Sequence, residues 1–389
     1  MSEFIPLSVP VIRGNEWQYI KECLDTEWVS SAGKFVERFE ADIRRLTGAK
    51  YAIACVNGTA ALHIALEIIG VGEGDEVIVP TLTFIASVNV VRYRRAEPIF
   101  MDCNRYYCLD VEKTVSFIKN QTRIKAGYSY NISSGKRIPA LIAVHVFGNA
   151  VDLSELVRVC EERNIAVIED AAESLGTIYT TQPFDKRHTG TIGRVGCLSF
   201  NGNKIITTGG GGMILTDDEK VADSARYLTT QAKDDEVLYI HNAIGYNYRL
   251  TNIQAALGVA QLEMLPEFLK TKRQNYLLYQ EQIAPLHGLQ LAPVPEIAQN
   301  NYWLYCLLID SAVYGKNRDA LMAEFTASKI QTRPVWQLNH LQKPYQTCQT
   351  YHIEKALELH ARTLNIPSST NLTEKQIGRV VEVLKTNGK

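Results

Sequence analysis

The fold class that this sequence predicts is α/β: a large domain built on a mainly parallel, seven-stranded sheet, followed by a smaller C-terminal α+β domain. Three observations predict it. From about residue 50 to 216, short apolar runs alternate with amphipathic stretches, as repeated βαβ units require. Beyond residue 250 the pattern becomes a long helical one, then a Pro-rich connection and mixed α and β signals. The chain has 389 residues, 46% hydrophobic and 21% charged, which is enough for a sizeable core and more than one domain and unlike disordered or fibrous chains.

In chain order, the expected strands are Tyr51 to Val56, Glu76 to Val79, Pro98 to Met101, Ala140 to Val146, Ile165 to Glu169, Gly196 to Phe200 and Met213 to Thr216. Leu153, Leu156, Val157 and Cys160 recur at helical spacing and predict a crossover helix between the fourth and fifth strands. Lys119 to Lys136 and Thr180 to Gly193, rich in polar residues and glycine, read as surface loops. A helical pattern from Ile253 to about Ile283 is expected to break at Pro266, which sets the domains at 1–265 and 266–389.

Composition narrows the function. Lys and Arg number 41 against 42 Asp and Glu, and no basic block is interleaved with aromatics, so nucleic acid is not an expected partner. No apolar run is long enough for a membrane span, and Met1 to Pro6 lacks the features of a signal peptide, so a cytoplasmic location is expected. Eight scattered cysteines without a Cys-x-x-Cys pair read as reduced thiols, and eight histidines without a ligand cluster give no reason to expect a metal. A small-molecule ligand is the remaining class.

In an open α/β sheet, ligands lie beyond the C-terminal ends of the strands, so those residues carry the functional signal. Asn57-Gly58-Thr59 joins a strand to a helix whose free N–H groups can bind an anion, although helix capping alone would also account for it. Asp170, after an apolar strand and before small residues, can face a flat ring and keep its nitrogen protonated, or simply cap a helix. Lys204 sits between a strand and the run Gly209 to Gly212, where a lysine can form an imine with an aldehyde, the other reading being an ordinary surface lysine. That run lacks the G-x-G-x-x-G spacing and leads into a strand, which excludes a dinucleotide loop. Phe84 can stack on a ring or belong to the core, and His63 is expected to pack on its helix. Phosphate turn, acid, lysine and aromatic together describe a pyridoxal phosphate site.

These motifs, with Gly245-Tyr246-Asn247-Tyr248-Arg249, resemble the DegT/StrS sugar aminotransferases within the fold type I pyridoxal phosphate enzymes, and the likeness extends from Pro6 to Pro367. Pro6-Leu7-Ser8-Val9-Pro10 and Trp28-Val29-Ser30-Ser31 are most similar to the enzymes making 4-amino-4,6-dideoxy sugars for legionaminic acid and bacillosamine. The resemblance implies that Lys204 bonds the cofactor, Asp170 faces its pyridine nitrogen, Phe84 stacks on it, and Gly58, Thr59 and Ser199 hold its phosphate. It also implies that Asn247 reaches the phosphate of a neighbouring subunit, making a homodimer with shared sites. Glu173 stands near the ring oxygen, where many members carry Gln or His. Arg249, Arg333 and Trp336 are candidates for substrate contacts, with surface ion pairing the other reading of the two arginines.

The implied reaction moves an amino group from L-glutamate, by way of pyridoxamine phosphate, to a nucleotide-linked 4-keto-6-deoxy sugar, with the UDP-linked N-acetylglucosamine derivative as the expected acceptor for surface polysaccharide synthesis. A sugar dehydrase on the same fold would carry histidine in place of Lys204, and a non-catalytic sugar-binding protein would not need the full set.

Overall fold

The computed structural model describes residues 3–235 and 237–388. Two helices, Glu16–Asp25 (α1) and Lys34–Thr47 (α2), precede the sheet. Their order reflects sequence pattern: Phe35, Val36, Phe39 and Ile43 share one face of α2, and all are buried. The alternating region then follows as Tyr51–Cys55 (β1), Gly58–Ile69 (α3), Glu76–Pro80 (β2), Ala86–Tyr93 (α4), Glu97–Met101 (β3), Val111–Gln121 (α5), Thr122–Lys125 (β4) and Tyr128–Asn131 (β5). It continues through Ala140–Val144 (β6), Ser154–Glu162 (α6), Ala166–Asp170 (β7), Ile178–Tyr179 (β8), Val195–Ser199 (β9), Gly212–Thr216 (β10) and Glu219–Thr229 (α7). The helix Asn252–Ile283 (α8) leads to Leu289–Leu291 (β11), Ala298–Gln299 (β12), Tyr305–Ile309 (β13), Ser311–Tyr314 (α9) and Arg318–Ala327 (α10). The chain ends in Arg333–Pro334 (β14), Thr350–Tyr351 (β15), Lys355–Arg362 (α11), Thr363–Ile366 (β16) and Glu374–Asn387 (α12).

All seven expected strands form, in the spatial order β1-β10-β9-β7-β6-β2-β3, and β15 adds an eighth, parallel to β3. Only β10 runs against its neighbours. Every residue of β2, β6 and β10 is buried, as expected for strands covered on both faces by helices. Register aligns Val144 with Asp170 and Asp170 with Cys197, while Gly212 pairs with both Cys55 and Ser199. The ends of β1, β7 and β9 are thereby brought to one edge of the sheet.

The second sheet, β11-β13-β16-β14, is antiparallel. Its core combines Leu307, Phe325, Leu364 and Val380 with Tyr279 and Ile283 from α8 and with Ile5 from the far N-terminus. Among the described residues no helix is long and apolar enough to cross a membrane.

Two local expectations are corrected. The stretch 119–136 is not a loop: β4 and β5 pair as a hairpin, and Ala126 and Gly127, both with positive φ, make the two-residue turn. The left-handed alanine hid the signal, because Asn or Asp usually occupies that position. Helix α8 does not break at Pro266. Leu265 and Phe268, either side of the proline, are buried in a core shared with α2, and such packing outweighs the roughly 3 kcal/mol that an interior proline costs. The stretch 180–193 carries no regular element, as expected.

A buried histidine ties that loop to the segment that follows β7. His188 Nε2 accepts the Gly176 N–H at 2.7 Å while its other nitrogen meets the Thr189 carbonyl, an arrangement for neutral imidazole. Burial drives its pKa from 6.5 down to about 4. Because the folded value lies below the unfolded one, the stability it contributes is full above about pH 6.5 and is lost as pH falls towards 4. Denaturant titrations over that window are expected to show a steeper loss in the parent than in His188→Asn, by at most about 1.4 kcal/mol per pH unit. Equal slopes would mean that His188 is not the linked group.

Candidate active site

Strand β1 ends beside an anion cradle. Asn57 is extended, and its Oδ1 accepts the Ala60 N–H at 2.7 Å, capping α3. Among the described residues no protein acceptor takes the N–H of Gly58 or Thr59, so the positive end of α3 is open. Glycine is required there by close approach. A Cβ on Gly58 would lie 2.9 Å from the Ser199 Cβ, and one on Gly212 would lie 2.5 Å from the Asn57 backbone. Gly58 and Ser199 thus come together, with Thr59 next in the first turn of α3.

Strand β7 presents two neighbouring acids to opposite faces. Glu169 is fully buried and accepts from His145 Nε2 at 2.8 Å and from the N–H groups of Gly190, Ile192 and Gly193 at 2.8, 2.6 and 2.6 Å. Burial alone would raise its pKa, but these bonds outweigh it and hold the carboxylate below its ordinary value. The Val151 N–H donates to His145 Nδ1, so Nε2 carries the proton given to Glu169. Asp170, the last residue of the strand rather than the first beyond it, is 5% exposed. Ser87 Oγ from α4 donates to its Oδ2 at 2.6 Å, and the Ala172 N–H to its Oδ1 at 3.1 Å. No helix starts after Asp170, which removes the helix-cap reading.

Lys204 lies in the turn beyond β9. Its Nζ is 3.4 Å from Glu173 Oε1 and 4.1 Å from the centre of the Trp303 ring. Glu173 Oε2 accepts the Phe147 N–H at 2.8 Å. Burial pushes the Glu173 carboxyl up, against the opposing pull of Lys204 and that amide. Phe147, with φ of 58°, stacks on Trp336 at 4.8 Å, and Phe84 meets Trp336 edge-on at 6.3 Å. Phe84 stays 52% exposed, so it is not a core residue, and Asn339 holds its turn by donating to the carbonyls of Thr81 and Thr83. Trp303, Phe147, Trp336 and Phe84 form an aromatic wall beside the lysine.

The remaining candidates are placed differently. Arg249 donates to Glu40 at 3.0 Å and to the Ala54 carbonyl at 3.2 Å, a part-buried ion pair rather than one on the surface. Arg333 is exposed at β14, and among the described residues its guanidinium donates only to the neighbouring Thr332 carbonyl. Asn247 is exposed on the segment after α7 and bridged through its backbone to Thr230, and among the described residues its side chain makes no hydrogen bond to another candidate. His63, expected to pack on its own helix, is buried against Tyr93, Tyr246 and Tyr248 from other segments. Ser87, Phe147 and Trp303 went unrecognised in the sequence. Phe147 follows a strand end and was accessible to the rule that found Asp170. Trp303, about a hundred residues from Lys204, carries no local signal.

An open helix terminus cleared by glycine, a buried acid and a lysine beside an aromatic wall fit the phosphate, ring nitrogen and aldehyde of pyridoxal phosphate. Comparison with known proteins agrees. Residues 10–385 match the model of the DegT/DnrJ/EryC1/StrS aminotransferase family, and the chain belongs to that family. It is a pyridoxal phosphate-dependent transaminase of fold type I. The chain is 37% identical over 382 residues to the GDP-perosamine synthase of Caulobacter vibrioides, with 98% of this chain and 97% of that one covered. The GDP-perosamine synthase of Escherichia coli O157:H7 is 36% identical over 381 residues, with 98% and 97% covered. A solved aminotransferase of this family from Brucella abortus superposes with a TM-score of 0.85 at 27% identity, covering 96% of each chain.

The cradle yields a direct test. Gly58→Ala places a methyl group against Ser199, and is expected to weaken pyridoxal phosphate binding at least tenfold in an absorbance titration while the far-ultraviolet circular dichroism is unchanged. Parental affinity would mean that the turn does not hold the phosphate.

Proposed function

We propose that this enzyme transfers the amino group of L-glutamate to C4 of a nucleotide-linked 4-keto-6-deoxy sugar. The observation that carries the reading is the Lys204 amine, 3.4 Å from Glu173 and lodged against the wall of Phe147, Trp303 and Trp336. A lysine rather than a histidine at this place supports amino transfer over dehydration. In this reading Gly58, Thr59 and Ser199 bind the cofactor phosphate, Phe84 covers the ring, and Asp170 and Glu173 hold its polar atoms. Trp336 and Arg333 face the sugar nucleotide, and Arg249 supports β1 through Glu40. The boundary at 265/266 is kept, with α8 as the spine common to both domains.

When bound, pyridoxal phosphate supplies an aldehyde that exchanges amines and a ring that accepts carbanion charge. Lys204 Nζ takes the proton from Cα of L-glutamate in the first half of the cycle and delivers one to C4 of the sugar in the second. Asp170 keeps a proton on the pyridine nitrogen, and Ser87 holds the carboxylate oriented for it. Glu173, with its pKa raised by burial, can share a proton with the Lys204 amine across 3.4 Å.

The nucleotide has two readings. The sequence motifs favour a UDP-linked N-acetyl sugar. The two relatives named GDP-perosamine synthase, at 36 to 37% identity, favour a GDP-linked acceptor. An assay of glutamate-dependent transfer to both keto sugars separates them, and failure with every 4-keto-6-deoxy nucleotide sugar would overturn the proposal. Lys204→Ala is expected to lose turnover by at least three orders of magnitude yet still bind pyridoxamine phosphate. Turnover within tenfold of the parent would remove Lys204 from the chemistry.

We also propose a homodimer in which Asn247 completes the site of the partner copy. In support, Val237, Leu238, Tyr239 and Ile244 on the same segment are exposed apolar residues, a surface suited to another protein chain. Lys204→Ala and Asn247→Ala should each be inactive alone. Mixed under conditions that exchange subunits, they should recover up to about one quarter of parental activity, because half the dimers are mixed and one of their two sites is intact. No recovery would mean that Asn247 serves its own chain or none.

A further inference from the structure

One side chain grips the reactive lysine from outside the large sheet. Trp303 lies between β12 and β13 and is 3% exposed. Its indole Nε1–H donates at 2.7 Å to the carbonyl of Asn203, the residue before Lys204, and its ring lies under the Lys204 amine. A single residue therefore holds both the carbonyl that precedes the lysine and the lysine's amine.

Trp303 is itself anchored through both its backbone N–H and its carbonyl. Asn301 Oδ1 accepts the Trp303 N–H at 3.0 Å, while Asn301 Nδ2 donates to the backbone carbonyls of Glu173 and Leu175, each at 2.9 Å. The two groups that meet the Lys204 amine, Trp303 and Glu173, are joined through this asparagine. At the other end, Lys272 from α8, also 3% exposed, donates to the Trp303 carbonyl at 2.7 Å and to the carbonyl and hydroxyl of Ser368. Its ammonium has three acceptors for three donors and no carboxylate among the described residues, and burial lowers its pKa to about 7. A buried cation without a counter-charge is costly, so it needs this full set of acceptors.

We propose that Trp303, anchored by Asn301 and Lys272, is a positioning residue that presents the Lys204 amine to the cofactor's aldehyde. A free lysine side chain has four rotatable bonds. Holding its cationic end on an aromatic face removes most of that freedom; the amine then passes a proton to Glu173, 3.4 Å away, before its nitrogen bonds the aldehyde carbon and the aldehyde oxygen leaves as water. The inference rests on Lys204 being the lysine that bonds the cofactor.

The test uses the full-length chain stripped of cofactor and two measurements. One is the rate at which the visible band grows on adding pyridoxal phosphate. The other is the affinity for pyridoxamine phosphate, which has no aldehyde and makes no bond to lysine. Trp303→Leu is expected to slow the band at least fivefold while leaving pyridoxamine phosphate affinity within twofold. Trp303→Phe, which keeps an aromatic face, should recover part of the rate. Lys272→Met should show the same split with a smaller loss, and it decides the matter if Trp303→Leu does not fold. Equal losses in both measurements, or no change in either, would overturn the proposal. Lys204→Ala separates the two levels of inference: a band growing there at the parental rate would remove the Lys204 assignment itself, whereas its absence beside an unaffected Trp303 series would remove only the role of Trp303.

Discussion

The arrangement of the site depends on a buried carboxylate that takes no part in the proposed chemistry. Glu169 gathers one imidazole N–H and three backbone N–H groups, and so locks the end of β6 and the 190–193 turn onto β7. Such a charge is tolerable in the interior only because all its donors are supplied by rigid neighbours. Since successive strand residues point to opposite faces, fixing Glu169 on one side orients Asp170 on the other. The His145 N–H also bonds the Asp170 carbonyl at 3.0 Å, which sets the path of the chain into Phe147.

Around this frame the polar groups of the site are divided by sign. The cradle at Gly58 and Thr59 offers positive partial charge from an open helix terminus, suited to a phosphate. At the other end, Lys204 faces Glu173 and an aromatic wall, so its amine meets one carboxylate and one π face. The wall has a further consequence. Phe147 adopts a left-handed conformation unusual for a bulky residue, at a cost of order 1 to 3 kcal/mol that its stacking on Trp336 and the bond from its N–H to Glu173 offset. Strain of this kind persists where the surrounding contacts define one geometry.

Much of this was legible from the residues in order. The seven strands, the crossover helix, the strand-end acid and the lysine before the glycine run follow from periodicity and from the rule that ligands sit at the C-terminal edge of such sheets. The hairpin at 122–131 was missed because Ala126 takes a conformation that its side chain disfavours. The unbroken α8 was missed because local propensity at Pro266 says stop, whereas burial of Leu265 and Phe268 decides otherwise.

By itself, the sequence determined the βαβ order, the residues of the strand-to-helix turn, the strand-end acid and the lysine, and the absence of a dinucleotide fingerprint, because each is encoded within a few neighbouring residues. Only the tertiary structure decided which groups meet. It turned Arg249 towards Glu40, brought Ser87 to Asp170, and set Trp303 beneath Lys204 with Lys272 behind it. Those contacts join residues from 83 to 209 positions apart for the first two pairs, and no local pattern records them. Their physical origin is the packing of strand ends, α8 and the second sheet against one another, which selects side-chain partners by position in space rather than by place along the chain.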